Sequence, residues 1–181
     1  MKRKKIISFV CISILAIVFS SISISAYVPK AYKWAGSTYP ITVTYRWGDR
    51  LTQPSVIKSG YIYALSDWNS MQMRINFSES STSKNVLNSY TVTSSTEYGY
   101  CTSNYNSSTM TYNYFLAYVN SGNTHITESN VARSVAGHEL GHGISLGEGD
   151  VADTLMDQGR DRTATYRPAQ DELDGINTIY N

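Results

Sequence analysis

Two spacings of apolar residues alternate along the chain and predict strands and helices. Residues 39–47, YPITVTYRW, alternate apolar with polar or aromatic side chains and are rich in β-branched residues, which predicts a strand. Residues 73–80, MRINFSES, predict a second strand. Between them, residues 55–71 have apolar side chains near helical spacing, with Ser55 as the expected N-cap. Three side chains of this helix are expected in the core: Tyr63, Leu65 and Trp68.

The strongest helical pattern covers residues 128–147, ESNVARSVAGHELGHGISLG. Ser129 or Asn130 is the expected cap, and Gly147 is the expected terminator. One stripe of this helix contains two valines and two histidines: Val131, Val135, His138 and His142. A last helix is predicted over residues 169–180, with its apolar side buried.

The middle of the chain, residues 78–113, is mostly Ser, Thr, Asn and Tyr. Alternation in residues 89–95 and 109–120 predicts polar-faced antiparallel strands joined by long loops. Together these elements indicate an α+β fold.

The first 26 residues have the features of a secretory signal peptide. Four basic residues precede an uncharged apolar stretch, which ends in small residues near Ser25 and Ala26. A retained membrane anchor is the alternative, because the apolar stretch is about long enough to span a bilayer. Cleavage is the preferred interpretation, which predicts a secreted protein formed by residues 27–181, a suitable length for one domain.

Removal of the first 26 residues would remove four of 15 basic residues and none of the 14 acidic ones, leaving a net charge of −3. No basic patch remains that would indicate a nucleic-acid partner. Cys101 would be the single cysteine of the mature chain, which excludes an internal disulfide. We expect it to be an unpaired thiol in a loop or strand, although an interchain disulfide or a metal–thiolate bond is also chemically possible.

The chemistry of the chain is concentrated in HELGH, residues 138–142. Residues four apart on a helix lie about 6 Å from each other, so His138 and His142 can bind one ion together. Two imidazoles suit zinc and leave room for a third ligand and a water. Glu139 projects beside the ion, where it can accept the proton of that water, whose pKa the metal lowers to about 7. Three glycines (Gly137, Gly141 and Gly143) would each cost the helix about 0.8–1 kcal/mol, which indicates close backbone approach.

These residues resemble the metzincin metallopeptidases, and among them the matrixins, whose pattern is H-E-x-x-H-x-x-G-x-x-H followed by a Met-turn. Met156, in DTLMDQG, stands 18 residues after His138 and matches that turn. The resemblance implies a twisted mixed sheet, a first helix packed on it, an active-site helix, and a C-terminal helix after the Met-turn. It also implies that Met156 forms a hydrophobic floor below the histidines.

The sequence departs from this pattern at the third ligand. Ser145 replaces the expected glycine and Glu148 replaces the expected histidine. A gapless match makes Glu148 the ligand, and the position of Met156 supports it. If the turn glycine has instead moved to Gly147, Asp150 becomes the ligand. Glu148 is the preferred interpretation, because a carboxylate oxygen is an acceptable zinc ligand.

Other candidate ligands are less favoured. His125 is expected to be a surface or loop residue, and Glu172 lacks the following aspartate that a thermolysin-like site would have. The histidine-rich segment that holds a structural zinc in matrixin relatives is missing, and calcium is possible but not indicated. An inhibitory propeptide is not expected, since little sequence separates the cleavage site from Tyr39.

The resemblance therefore implies a secreted, monomeric zinc endopeptidase that acts on polypeptides, with one Zn²⁺ held by His138, His142 and Glu148 and with Glu139 as general base. No membrane association is expected after signal cleavage. An extended substrate would pair with an edge strand within residues 98–114. The alternative is a catalytically degenerate relative that binds peptides or surface material, a hypothesis supported by the altered third ligand.

Overall fold

The structure is a computed structural model that describes residues 28–181. Five strands form one twisted sheet: β1 (Ile41–Trp47), β2 (Ile75–Glu79), β3 (Val86–Tyr90), β4 (Gly99–Asn106) and β5 (Thr111–Asn120). Their order across the sheet is β2-β1-β3-β5-β4. All neighbouring pairs are parallel except β4 with β5, so β4 is an antiparallel edge strand.

Three helices accompany the sheet: α1 (Val56–Met71), α2 (Ser129–Gly143) and α3 (Gln170–Ile179). The side chain of Ser55 caps α1 by accepting a hydrogen bond from the Lys58 amide at 3.1 Å, as predicted. The α+β architecture predicted from the sequence, with a mixed sheet and helices packed on it, is confirmed.

Helices α1 and α2 pack closely because a glycine faces the contact. A Cβ atom at Gly60 would lie 2.7 Å from the carbonyl carbon of Ala132, so a larger residue would push the helices apart. Trp68 then spans the gap and donates a hydrogen bond from its indole Nε1 to the Gly137 carbonyl at 3.0 Å. This contact fixes α1 against the middle of α2, where the histidines lie.

In the middle of the chain the predicted strands are only partly confirmed. Residues 91–95, the last five of the seven residues of one predicted strand, lie in the loop between β3 and β4. Strand β4 lies within residues 98–114, where an edge strand was expected, but its bounds were not predicted, because GYCTSNYN has a weak hydrophobic alternation and only one of its faces meets the core. The predicted strand at residues 109–120 is confirmed as β5, although its pairing with β3 is parallel.

Two further expectations are wrong in detail. Helix α2 ends at Gly143 rather than Gly147, and Glu128 is its N-cap rather than Ser129 or Asn130. Tyr63 is not in the core: its side chain is 51% exposed and its ring lies 5.5 Å from the guanidinium of Arg133. The guanidinium of Arg133 explains this position, because an aromatic ring attracts a cation even at an exposed site.

The predicted signal peptide lies outside the described residues. Among residues 28–181, no helix is both long and apolar enough to cross a membrane.

Candidate metal centre

Helix α2 and the loop after it bring three potential ligands together. One ligand atom from each of His138, His142 and Glu148 lies within 4.8 Å of the other two. The Glu148 carboxylate lies 3.0 Å from Nε2 of His142 and 3.4 Å from Nε2 of His138. Both histidines are buried, whereas Glu148 is exposed.

Hydrogen bonds orient both imidazole rings. Nδ1 of His138 lies 2.8 Å from the Leu155 carbonyl, and Nδ1 of His142 lies 2.9 Å from the Leu146 carbonyl. Because a carbonyl only accepts, each Nδ1 carries the proton and each Nε2 has a free lone pair. The two free lone pairs face Glu148, which is the orientation that a metal ion requires of its ligands.

The turn after α2 explains why Glu148 reaches the histidines. Ser145 has φ 81°, the left-handed conformation usually taken by glycine, and it occupies the position where the matrixin pattern has glycine. Its hydroxyl donates to the Tyr32 carbonyl at 2.8 Å and lies 3.1 Å from the hydroxyl of Tyr180. These contacts hold the strained turn at Ser145, so the chain reverses there and not at Gly147.

The position of Asp150 follows from this turn. Asp150 is exposed and lies outside the group of potential ligands found among residues 28–181. The structure therefore brings Glu148 to the histidines and leaves Asp150 apart from them.

Glu139 is buried beside this group and has an unusual environment. One of its carboxylate oxygens, Oε2, has no hydrogen-bond partner, although the residue is only 4% exposed. Burial, and next the charge of Glu148, raise the pKa of Glu139 to about 8. A Cβ atom at Gly99 would lie 2.9 Å from Oε1 of Glu139, so the glycine at the start of β4 leaves room for this carboxylate.

The surroundings lower the pKa of two of the candidate ligands, His138 and Glu148. Burial lowers the pKa of His138 to about 4, so this imidazole is neutral at physiological pH. Burial raises the pKa of Glu148, but the neighbouring imidazoles of His138 and His142 outweigh it and leave the pKa well below its ordinary value. The site thus presents two imidazole nitrogens and one anionic oxygen, a set that suits zinc.

Met156 lies directly beneath α2. It is fully buried, and a Cβ atom at Gly141 would lie 2.6 Å from its sulfur, which confirms the close approach expected at this glycine. The Met156 amide donates a hydrogen bond to Oε1 of Glu172 at 3.0 Å. Glu172 therefore anchors the turn at Met156 and is not among the potential metal ligands. This agrees with the sequence analysis, in which Glu172 is a less favoured candidate ligand.

A cleft of about 560 Å³ opens above the histidines. Strand β4 forms one wall through residues that include Gly99 and Cys101, and α2 forms the floor with Val135, His138, Glu139 and His142. The thiol of Cys101 is free, and burial raises its pKa, so it stays protonated at neutral pH. His125 is exposed and lies beside the ring of Tyr98, outside the group of potential ligands.

The segment after Met156 forms the opposite wall, and its arginines were not singled out from the sequence. Arg160 is 4% exposed. It donates hydrogen bonds to the Ser134 hydroxyl at 2.9 Å and to the carbonyl oxygens of Ser134 and Asp157. Its Nη1 lies 3.2 Å from Nδ1 of His138, and its hydrogen bonds to Ser134 tie this wall to α2 beside the first histidine. The sequence feature that could have indicated these arginines is the pair of basic residues in GRDR, residues 159–162.

Comparison with known proteins gives one family. Residues 33–162 match the sequence model of a family described as dual-action HEIGH metallo-peptidase. The match includes His138–His142, where the chain reads HELGH and thus has leucine in place of the isoleucine in the family's name. No curated protein matches the chain.

Proposed function

The chain belongs to the dual-action HEIGH metallopeptidase family and is therefore a zinc-dependent peptidase of the metzincin type; from this premise, we propose that it is a secreted endopeptidase. The convergence of His138, His142 and Glu148 within 4.8 Å, beside an unpartnered carboxylate oxygen of Glu139, is the observation that supports this function best.

The side chains present fit a zinc ion. In this proposal Nε2 of His138, Nε2 of His142 and a carboxylate oxygen of Glu148 hold the ion. When bound, zinc supplies a Lewis acid for the peptide carbonyl and lowers the pKa of a coordinated water. The exposed side of the group, where Glu148 lies, faces the cleft and leaves an open position, which distinguishes a catalytic site from a closed structural one.

Glu139 is the proposed general base. Glu139 lines the cleft and its Oε2 has no hydrogen-bond partner, so a carboxylate oxygen of Glu139 can accept a proton from the attacking water. The same oxygen can then donate that proton to the nitrogen of the leaving amine.

Strand β4 is the proposed docking edge for the substrate. It is the last strand of the sheet on the cleft side, and Gly99 and Cys101 line the cleft. The strand therefore has backbone groups available for an extended peptide, which would lie between β4 and α2 with its scissile bond over Glu139.

We further propose a secreted, monomeric enzyme with a matrixin-like catalytic domain. The turn at Met156, fixed beneath the histidines by Glu172, supports a matrixin-like catalytic domain. The signal-like residues 1–26 support secretion of residues 27–181. A monomer is proposed because the cleft among the described residues is complete within one chain.

Hydrolysis of casein or gelatin by the purified mature chain tests this function. We expect cleavage that a zinc chelator abolishes and that added zinc restores, because the protein provides the ligands and the base. Cleavage that persists in chelator would contradict the proposal. Stoichiometric zinc without cleavage of any peptide would instead favour the alternative of a non-catalytic binding protein.

A further inference from the structure

Arg162 lies at one end of the cleft without a counter-charge. Its guanidinium carbon is 4.0 Å from the ring centroid of Tyr98, and its Nε is buried without a hydrogen-bond partner. Its other nitrogens donate only to the carbonyl oxygens of Gln158 and Arg160. Within residues 28–181, no carboxylate oxygen lies within 4.0 Å of this guanidinium.

Two acidic residues near Arg162, Glu97 and Asp161, are engaged elsewhere. The carboxylate of Glu97, across the cleft, accepts a hydrogen bond from the Tyr90 hydroxyl at 2.8 Å. That of Asp161 accepts hydrogen bonds from the amide and hydroxyl of Thr163. An arginine that is stacked on an aromatic ring and partly buried has lost water, so an incoming carboxylate would gain a strong, charge-assisted hydrogen bond there.

The overall charge of the cleft also favours an anion. Its lining contains three carboxylates, from Glu97, Glu139 and Glu148, and two guanidinium groups, from Arg160 and Arg162. With a divalent ion in place, the lining carries one net positive charge. Since Arg160 already bonds to Ser134 and Asp157, Arg162 is the cation available to a ligand.

The direction of β4 decides which side of the substrate meets Arg162. Gly99, at the start of β4, lies beside Glu139, and Tyr98 with Arg162 lies beyond it. Further along β4, Tyr105 pairs with Tyr112, whose hydroxyl donates to the carbonyl of His142. A peptide that runs antiparallel to β4, the commoner pairing in sheets, therefore points its carboxyl end toward Arg162.

We propose that Arg162 is a specificity-determining residue that binds an acidic side chain on the carboxyl side of the scissile bond. The substrates are then polypeptides with Asp or Glu within a few residues after the cleaved bond. This inference rests on the proposed function for the position of the scissile bond, but peptide binding tests it without any turnover.

The test uses zinc-loaded Glu139→Gln protein and pairs of peptides. The two peptides of a pair differ only by Glu or Gln at one position, which is one of the three positions before or the three positions after one bond. Kd is measured at low and high salt by fluorescence anisotropy, and kcat/KM is measured with the wild-type protein. We expect about tenfold tighter binding of Glu at a carboxyl-side position at low salt, and a smaller preference at high salt. Adding Arg162→Gln should remove the preference, whereas Arg162→Lys should retain part of it. Arg50→Gln, an exposed arginine outside the cleft lining, should leave it unchanged.

An equal Kd for the Glu and Gln peptides, an undiminished preference in Arg162→Gln, or a preference only on the amino side would each overturn this inference. Failure of the proposed function is distinguishable from these outcomes. In that case the wild-type protein cleaves no peptide, while Glu-selective binding that depends on Arg162 still supports Arg162 as the binding site of an acidic side chain.

Discussion

Replacing Glu139 by glutamine is expected to lower kcat/KM for peptide hydrolysis by about 10²–10⁴-fold, the range that general acid–base groups contribute. Glutamine has nearly the same volume, so the packing between α2 and Gly99 is kept. It cannot accept a proton from water or return one to the leaving amine. The measurement is steady-state hydrolysis of a fluorogenic peptide by zinc-loaded protein, together with zinc content.

The matched control is Glu79→Gln, at the end of β2, which makes the same chemical change outside the cleft lining. This control should retain wild-type activity. In Glu139→Gln, zinc content should stay at one ion per chain, because Glu139 is not among the potential ligands. Undiminished hydrolysis in Glu139→Gln would remove the base from the proposed mechanism, and loss of zinc would show that Glu139 is a ligand.

Replacing Glu148 by alanine is expected to weaken zinc binding by at least about 100-fold, since even residues that only support a ligand contribute 10–100-fold. Alanine removes the one anionic donor and leaves two neutral imidazoles. Asp150→Ala is the matched comparison, because Asp150 is exposed and was the other candidate for the third ligand. Its zinc affinity should equal that of the wild type in a competition titration with a chromogenic chelator.

A larger loss in Asp150→Ala than in Glu148→Ala would reverse this assignment. Wild-type zinc affinity in both variants would show that neither carboxylate binds the ion. Circular dichroism of the metal-free proteins separates these outcomes from misfolding, since both residues are exposed and their replacement should leave the fold intact.

Elements with a strong local signal could be predicted from the sequence. Strand β1, helix α1 with its cap at Ser55, and helix α3 all have clear periodicity and clear ends, and their observed bounds lie close to the predicted ones. Strand β4 has no such signal because it is an edge strand and one of its faces meets solvent or the cleft. Its place in the sheet depends on pairing with β5, a contact that periodicity within one segment does not reveal.

The site was predictable to the extent that its residues share one helix. His138, Glu139 and His142 follow from spacing on α2, whereas the choice between Glu148 and Asp150 depended on where the chain turns. That turn depends on a positive φ at Ser145, supported by Tyr32 and Tyr180, which are distant in sequence. Arg160 and Arg162 were missed for the same reason: their proximity to α2 and Tyr98 is a tertiary contact.

X-ray absorption spectroscopy of the zinc-loaded mature protein tests the metal centre most directly. One zinc per chain, with two imidazole nitrogens and the remaining ligands oxygen at about 2.0–2.2 Å, is the expected result. After the same reconstitution, Glu148→Ala should hold less zinc than the wild type. A sulfur ligand from Cys101, a third imidazole, or protein that holds no zinc after reconstitution would contradict a centre built from His138, His142 and Glu148.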